Sequence, residues 1–183
     1  MVSSEKPIAV LTGVTGYLGS QILNTFLNGE VKDLYRIRAT VRNKDNQAKM
    51  KPLVDFFGQE ALDRVEFVNA DLMDEASLFS AIEGATYVVH SASPVAASGE
   101  DGADLVTPAI NGALGVLRAS VKHGVKRLVV TSSISAACAQ REGNRVPVYN
   151  ETYWSDEKWI DDKPYFKGKT LAEKALWDFQ RDS

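Results

Sequence analysis

Short runs of apolar residues alternate along the chain with longer stretches in which apolar residues recur at helical spacing. The short runs predict five strands, near residues 8–11, 35–41, 65–68, 87–89 and 127–130. Continuous apolar runs are typical of parallel strands that are covered by helices on both faces. The pattern therefore predicts an α/β fold of the Rossmann type, with a doubly wound parallel sheet.

The longer stretches predict helices with recognisable ends. The first helix is expected to begin near Gly16 and to stop at Asn28-Gly29. Its expected inward residues are Leu18, Ile22, Leu23, Phe26 and Leu27. Asp74 is a suitable cap for a helix that contains Leu78 and Ile82 and stops at Gly84.

Two further stretches are long. One helix is expected from about Ala103 to His123, with Gly124 after its end. A connection without helical or strand pattern runs from about Ala136 to Asp162, and its aromatic residues either belong to a site or cover the core. These residues are Tyr149, Tyr153, Trp154 and Trp159.

Composition narrows the class of protein. The 183 residues, 44% of them hydrophobic, suit one domain over 1–183, and the glycines between residues 13 and 19 predict that this domain binds a dinucleotide. A net charge of −3 without a basic cluster argues against a nucleic acid or anionic membrane partner and favours a small-molecule substrate. A single cysteine, Cys138, and the lack of a membrane-spanning or secretory segment favour the cytoplasm.

Three glycines, Gly13, Gly16 and Gly19, follow the first predicted strand and open the first predicted helix. One glycine permits a tight turn, another a close approach to a pyrophosphate, and the third a close helix–strand contact, while backbone amides receive the phosphate charge. The predicted contacts with a dinucleotide are Gly13, Thr15, Gly16, Tyr17, Leu18 and Gly19. A glycine-rich turn without a ligand is the alternative.

The end of the second strand indicates which nicotinamide cofactor is bound. No acidic residue stands there to bind a free ribose 2′-hydroxyl, and Arg42 can pair with a 2′-phosphate instead. This favours NADPH over NADH, unless Arg42 and the nearby lysines are solvated surface charges.

Residues after the third and fourth strands belong to the same edge of the sheet. Asp71, followed by Leu72, is expected either to approach the adenine or to cap a turn. The small residues Ala92 and Ser93 leave room for the cofactor, and we expect His90 to be structural. With two histidines and one cysteine, the chain offers no convincing transition-metal site.

Ser133, Tyr165 and Lys169 have the chemistry that reduction of a carbonyl group needs. Hydride transfer leaves negative charge on oxygen, so the site requires a hydrogen-bond donor and a proton donor. A tyrosine normally titrates near ~10, and a nearby lysine ammonium stabilises the phenolate and lowers that value. Tyr165 and Lys169 share one face if helical, and Ser133 lies just beyond the fifth strand.

Together these motifs resemble the extended short-chain dehydrogenase/reductase family, in its dihydroflavonol reductase and cinnamoyl-CoA reductase branch. The resemblance spans nearly all residues from 8 to 177 and rests on residues 12–19, 38–42, 90–94, 108–112, 131–133, 149–156 and 165–173. It implies an NADPH-dependent reductase of aldehydes or ketones.

The resemblance also implies roles for individual residues. Tyr165 would donate the proton, Lys169 would assist it and bind the nicotinamide ribose, and Ser133 would orient the carbonyl. Arg42 and Lys49 would contact the 2′-phosphate. Asp71-Leu72 would lie near adenine, and the remaining cofactor contacts would include Ala92, Ser93 and Thr131.

The chain departs from this family at Ser183, where relatives continue into further strands and a substrate-binding region. We expect the carboxyl-terminal strands and that region to be missing, which would leave a sheet edge free for self-association. Two alternatives to a reductase stay open. One is a catalytically silent NADP-binding fragment or regulatory protein, and the other is an NAD-dependent epimerase or dehydratase, against which Arg42 argues.

Overall fold

A computed structural model of the chain describes residues 6–95, 104–144 and 146–182. The chain divides into two compact units. The first unit comprises Met1–Ala92 and Gly115–Val130, and the second comprises Ser93–Leu114 and Thr131–Ser183.

The first unit contains a parallel sheet of five strands. Its strands are β1 Ile8–Thr12, β2 Arg36–Val41, β3 Val65–Asn69, β4 Tyr87–His90 and β5 Arg127–Val130. All pairs are parallel and the spatial order is β3-β2-β1-β4-β5. The Rossmann-type α/β prediction is thus confirmed. The strand order reverses direction between β1 and β4, and ligands of open α/β sheets bind at the carboxyl ends of strands at such a point.

Side chains of the strands alternate between two apolar clusters, one on each face of the sheet. Leu11 of β1 lies in a cluster with Leu23 and Leu27 of the first helix, whereas the neighbouring Val10 lies in a cluster with Leu78 and Val116. Helices therefore cover both faces, which is why the strands read as continuous apolar runs.

The helices of the first unit are α1 Tyr17–Asn28, α2 Gln47–Phe57, α3 Gln59–Leu62 and α4 Glu75–Ile82. The Asp74 cap is confirmed, because its carboxylate accepts a hydrogen bond from Ser77 N at 3.2 Å. The inward orientation predicted for Leu18 is wrong. Its side chain is 47% exposed because it lies in the first turn of α1, ahead of the residues that pack on the sheet.

Helix α5, Val106–Lys122, begins in the second unit and ends in the first. The predicted start at Ala103 lies outside the described residues, and the predicted stop is confirmed by Gly124, whose φ is +66°. The second unit also contains a 3-10 helix, Ile134–Ala136, and helix α6, Pro164–Asp182. Gly168 allows α6 to approach Leu105, since a Cβ there would lie 3.0 Å from the Leu105 carbonyl oxygen.

Hydrogen bonds and aromatic contacts both order the long connection between the 3-10 helix and α6, in which the ring centroids of Tyr149 and Tyr153 lie 5.6 Å apart. Ser155 Oγ donates to the Ser135 carbonyl at 2.7 Å and accepts from Ala139 N at 2.9 Å. Tyr153 and Trp159 are partly exposed, and the Lys163 ammonium lies 4.0 Å from the Trp159 ring centroid. Ile160, which is fully buried, provides the core contact of this connection.

Candidate active site

The turn between β1 and α1, residues 12–19, is called the glycine turn below. Gly13 has φ +76°, and a Cβ there would lie 2.7 Å from Ala92 N. A Cβ on Gly19 would lie 2.0 Å from the Gly13 carbonyl oxygen. Both positions therefore require glycine for the fold itself, as tight turn and as close contact between helix and strand.

Gly16 differs from the other two glycines. Its φ is −95°, and an added Cβ would meet the Gly13 carbonyl oxygen at 3.4 Å, an ordinary van der Waals distance. The protein can accommodate a side chain at this exposed position. Glycine here instead keeps the outer side of the turn open, as a close approach by a dinucleotide requires.

Backbone amides at the start of α1 can receive an anion. The amides of Tyr17, Leu18 and Gly19 have no acceptor among the described residues of the first unit, since the first intrahelical bond runs from Ser20 N to Gly16 O. The helix has no side-chain cap and no acidic residue in its first turn. Thr15, Tyr17 and Leu18 are exposed, so a phosphate can reach the amides of Tyr17 and Leu18, whereas Gly19 is buried.

The carboxyl ends of β1 and β4 are joined through Thr12. Its Oγ1 accepts from Ser91 N and Ala92 N, both at 3.1 Å, and Ser91 Oγ donates to the Thr12 carbonyl at 2.6 Å. The remaining proton of Thr12 Oγ1 can donate to His90 Nδ1 at 2.8 Å. His90 is buried and bonded, as expected of a structural residue. The sequence analysis did not predict this junction, because a threonine at the end of a strand is only a weak signal for such a contact.

Arg38 within β2 and Arg42 directly after it behave differently. Arg38 is committed to the fold, because it pairs with Glu66 at 3.0 Å and donates to the carbonyls of Ala81 and Glu83. Arg42 is exposed, and its guanidinium has no partner among the described residues of that unit. Lys49 is also exposed and lies in the first turn of α2, which is capped by Asn46. Arg42 is thus available for an anion at the carboxyl end of β2.

Asp71 takes part in a turn, as one of its two predicted roles required. Its Oδ1 accepts from Met73 N at 2.8 Å, and its own amide donates to Ser77 Oγ at 3.0 Å. Asp71 and Leu72 are half-buried. A contact with adenine stays a prediction.

In the second unit, residues 131–136 form what is called the strand-end segment below. Ser133 caps the 3-10 helix, and its Oγ accepts from Ser135 N at 3.1 Å. Since the hydroxyl is used there as an acceptor, its proton remains available to a substrate oxygen. Ser93, also in this unit, is half-buried.

Tyr165 and Lys169 lie one turn apart near the start of α6, as predicted, and both are half-buried. Lys169 Nζ donates to the Thr131 carbonyl at 3.4 Å. Burial lowers the pKa of Lys169 below its usual value. The Tyr165 hydroxyl has no hydrogen-bond partner among the described residues of the second unit, and its ring makes an edge contact with Phe166.

The structure therefore brings Lys169 to Thr131, and Gly13 to Ala92, within their respective units. Ser133 and Tyr165 form no hydrogen bond with each other in the described part of the second unit. Across residues 6–95, 104–144 and 146–182, potential metal ligands form no cluster of three or more. None of the helices in those ranges is both long and apolar enough to cross a membrane.

Comparison with known proteins assigns the family. Residues 10–178 match the 3-beta hydroxysteroid dehydrogenase/isomerase family, one of the extended short-chain dehydrogenases/reductases. The chain belongs to this family. The resemblance drawn from the glycine turn and from residues 165–169 is thereby confirmed.

Individual members of the family are similar over nearly the whole chain. Dihydroflavonol 4-reductase of Arabidopsis thaliana is 37% identical, over 100% of this chain and 47% of its own length. Vestitone reductase of alfalfa, Medicago sativa, is 34% identical with a TM-score of 0.72, over 97% of this chain and 53% of that structure. The chain spans about half the length of these relatives.

A yeast methylglyoxal/isovaleraldehyde reductase, solved in complex with NADPH, shares the fold. Its TM-score is 0.73 at 22% identity, over 96% of this chain and 53% of that structure.

Proposed function

We propose that this chain binds NADPH and carries the proton-transfer residues of a reductase that acts on an aldehyde or ketone. Relatives at 34–37% identity are named as reductases of dihydroflavonol and vestitone, which supports a carbonyl substrate. The NADPH complex of the yeast reductase supports the cofactor.

The residues present in the first unit fit such a cofactor. The exposed amides of Tyr17 and Leu18 would hold the pyrophosphate, with Gly16 leaving space for it and Gly19 bringing the helix close to the turn. Arg42, with Lys49, would pair with the 2′-phosphate. The further contacts we propose are Gly13, Thr15, Asp71, Leu72, Ala92, Ser93, Thr131, Tyr165 and Lys169. When bound, NADPH supplies the hydride that reduces the carbonyl carbon.

Protein side chains would manage the charge and the proton on the carbonyl oxygen. The Ser133 hydroxyl donates a hydrogen bond to that oxygen, and Tyr165 transfers its phenolic proton to it. The phenolate left on Tyr165 is stabilised by the Lys169 ammonium one turn away. The observation that carries this proposal is that the Ser133 and Tyr165 protons have no acceptor among the described residues of their unit, while Lys169 is held on the Thr131 carbonyl.

Replacement of Tyr165 by phenylalanine tests the proposal. With NADPH and a panel of aromatic aldehydes and ketones, Tyr165→Phe should lower turnover by about 10²- to 10⁴-fold, the usual contribution of a positioned acid. NADPH affinity, measured by calorimetry, should change by less than about twofold because the ring remains. Tyr153→Phe, on the exposed part of the long connection, is the matched control and should keep wild-type turnover.

Two outcomes would replace this proposal. Binding of NADPH without turnover of any carbonyl would indicate a catalytically silent NADP-binding protein. Tightly held NAD that is regenerated during turnover would indicate an epimerase or dehydratase. Substantial turnover by Tyr165→Phe would remove Tyr165 from the mechanism.

A further inference from the structure

Glu173 continues the row formed by Tyr165 and Lys169 along α6, four residues after the lysine. Its side chain is half-buried, and both carboxylate oxygens have a donor. Ser132 Oγ donates to Oε2, and Trp177 Nε1 donates to Oε1 at 3.4 Å. Glu173 thus connects α6 to the residue directly before Ser133.

Helix α6 contacts the strand-end segment at three points. Lys169 Nζ donates to the Thr131 carbonyl at 3.4 Å, and Thr170 Oγ1, which donates to the Phe166 carbonyl at 2.9 Å, lies 3.4 Å from the Ser135 carbonyl oxygen. The contact between Ser132 and Glu173 lies between these two along the segment. It is also a hydrogen bond to a carboxylate, which is about twice as strong as a bond between neutral groups.

None of these contacts uses the Ser133 side chain. Ser133 has an extended backbone, with φ −155° and ψ 150°. In an extended segment, the side-chain direction of one residue sets that of the next. Anchoring Ser132 on Glu173 therefore orients the Ser133 hydroxyl without occupying it.

We propose that Glu173 is a positioning residue, which holds Ser132 against α6 and so fixes where the Ser133 hydroxyl lies relative to Tyr165 and Lys169. The inference rests on the proposed function, in which Ser133 and Tyr165 act on one carbonyl oxygen. Such a pair must be placed accurately, since a displacement of about 1 Å can lower the rate about a hundredfold.

Amide hydrogen exchange of the full chain tests the positioning without turnover. The Ser135 amide donates to Ser133 Oγ, so its protection reports whether that hydroxyl is in place. Glu173→Ala and Ser132→Ala should each lower this protection by at least about tenfold. The control is Glu157→Ala, which removes a carboxylate that pairs with Lys174 of α6. This variant should leave the protection of the Ser135 amide unchanged. Wild-type protection of Ser135 in Glu173→Ala would overturn the proposal.

Kinetics distinguish positioning from a general structural effect. Glu173→Ala should lower kcat by about tenfold to a hundredfold with KM changed by less than about twofold. In a Ser133→Ala background the same substitution should cause no further loss, because its effect passes through Ser133. A further loss of equal size in that background would overturn the proposal.

The two readouts also separate this inference from the proposed function. A wild-type chain that reduces no carbonyl would contradict the function, while Ser135 exchange would still decide the position of Ser133. Should Glu173→Ala fail to fold, Glu173→Gln retains an acceptor for Ser132. Its loss of charge should lower Ser135 protection by an intermediate factor, and wild-type protection would again overturn the proposal.

Discussion

The glycine turn and the strand-end segment both follow parallel strands, but the first relies on backbone groups and the second on side chains. In the glycine turn, the groups available to a ligand are backbone amides, and glycines at 13 and 19 make the backbone geometry possible. In the strand-end segment, side chains of α6 make the contacts, since Lys169 donates to the Thr131 carbonyl and Glu173 accepts from the Ser132 hydroxyl. One region depends on the absence of side chains and the other on their presence.

This difference predicts how each region responds to substitution. A Cβ that collides with backbone atoms has no rotamer by which to avoid them. Such a substitution in the glycine turn should therefore cause a large loss of stability. Loss of one side-chain contact leaves the other hydrogen bonds of the strand-end segment in place. Substitutions there should therefore cause smaller, graded losses of stability.

The largest effect is expected for Gly19→Ala, because its Cβ would lie 2.0 Å from the Gly13 carbonyl oxygen. We expect the free energy of unfolding to fall by about 3 kcal/mol or more, with loss of NADPH binding. Urea denaturation and calorimetry measure the two quantities.

Gly16→Ala is the matched control, since its Cβ would lie at an ordinary contact distance, 3.4 Å, from the Gly13 carbonyl oxygen. Stability should change by no more than about 1 kcal/mol, whereas NADPH affinity should fall by at least about tenfold because the side chain enters the space of the pyrophosphate. Equal stability of the two variants would contradict the division of roles among the glycines.

A smaller effect, confined to the cofactor, is expected for Arg42→Glu. Loss of paired hydrogen bonds to a 2′-phosphate should lower NADPH affinity by about tenfold to a hundredfold and leave NADH affinity nearly unchanged. Lys44→Glu makes the same change of charge at a neighbouring exposed position and should preserve the preference for NADPH. If Arg42→Glu discriminates between the two cofactors as the wild type does, Arg42 is a solvated surface charge.

The smallest expected effect is a change of folding stability with pH, caused by the partial burial of Lys169. Because burial lowers its pKa in the folded state, the unfolded chain binds more protons between that lowered value and the ordinary value of 10.5. Within this window, folding stability rises with pH. Relative to Lys169→Met, the wild type should therefore gain stability between pH 7 and pH 10, by less than about 1 kcal/mol since the side chain is partly solvated.

Denaturation of both proteins at each pH measures this difference, and titration of the other groups cancels. Lys167→Met is the control on the same helix, where the lysine pairs with Asp161 at the surface. A wild type that loses stability relative to Lys169→Met as the pH rises would contradict the inferred direction of the shift.

Much of the fold was predictable because its signals are local. Each of the five predicted strands is present with its ends within one residue, since a buried parallel strand needs an apolar run wherever it occurs. The helix cap at Asp74 and the helix stop at Gly124 were equally predictable, because each depends on a single residue. The orientation of Leu18 was not, because helical spacing does not tell where the sheet beneath a helix ends. Self-association through β5, an edge strand on which Val129 is 50% exposed, stays a prediction.

The candidate site divides in the same way. Sequence alone determined the glycine turn, Arg42 as a candidate at the end of the second strand, and the spacing of Tyr165 and Lys169, because these depend on residues that are neighbours in the chain. Tertiary structure alone decided that Thr12 joins β4, that Gly16 is free of the packing that constrains Gly13 and Gly19, and that Glu173 holds Ser132. Those contacts join residues as far as 80 positions apart, and no local preference specifies which side chain the folded chain will bring to another.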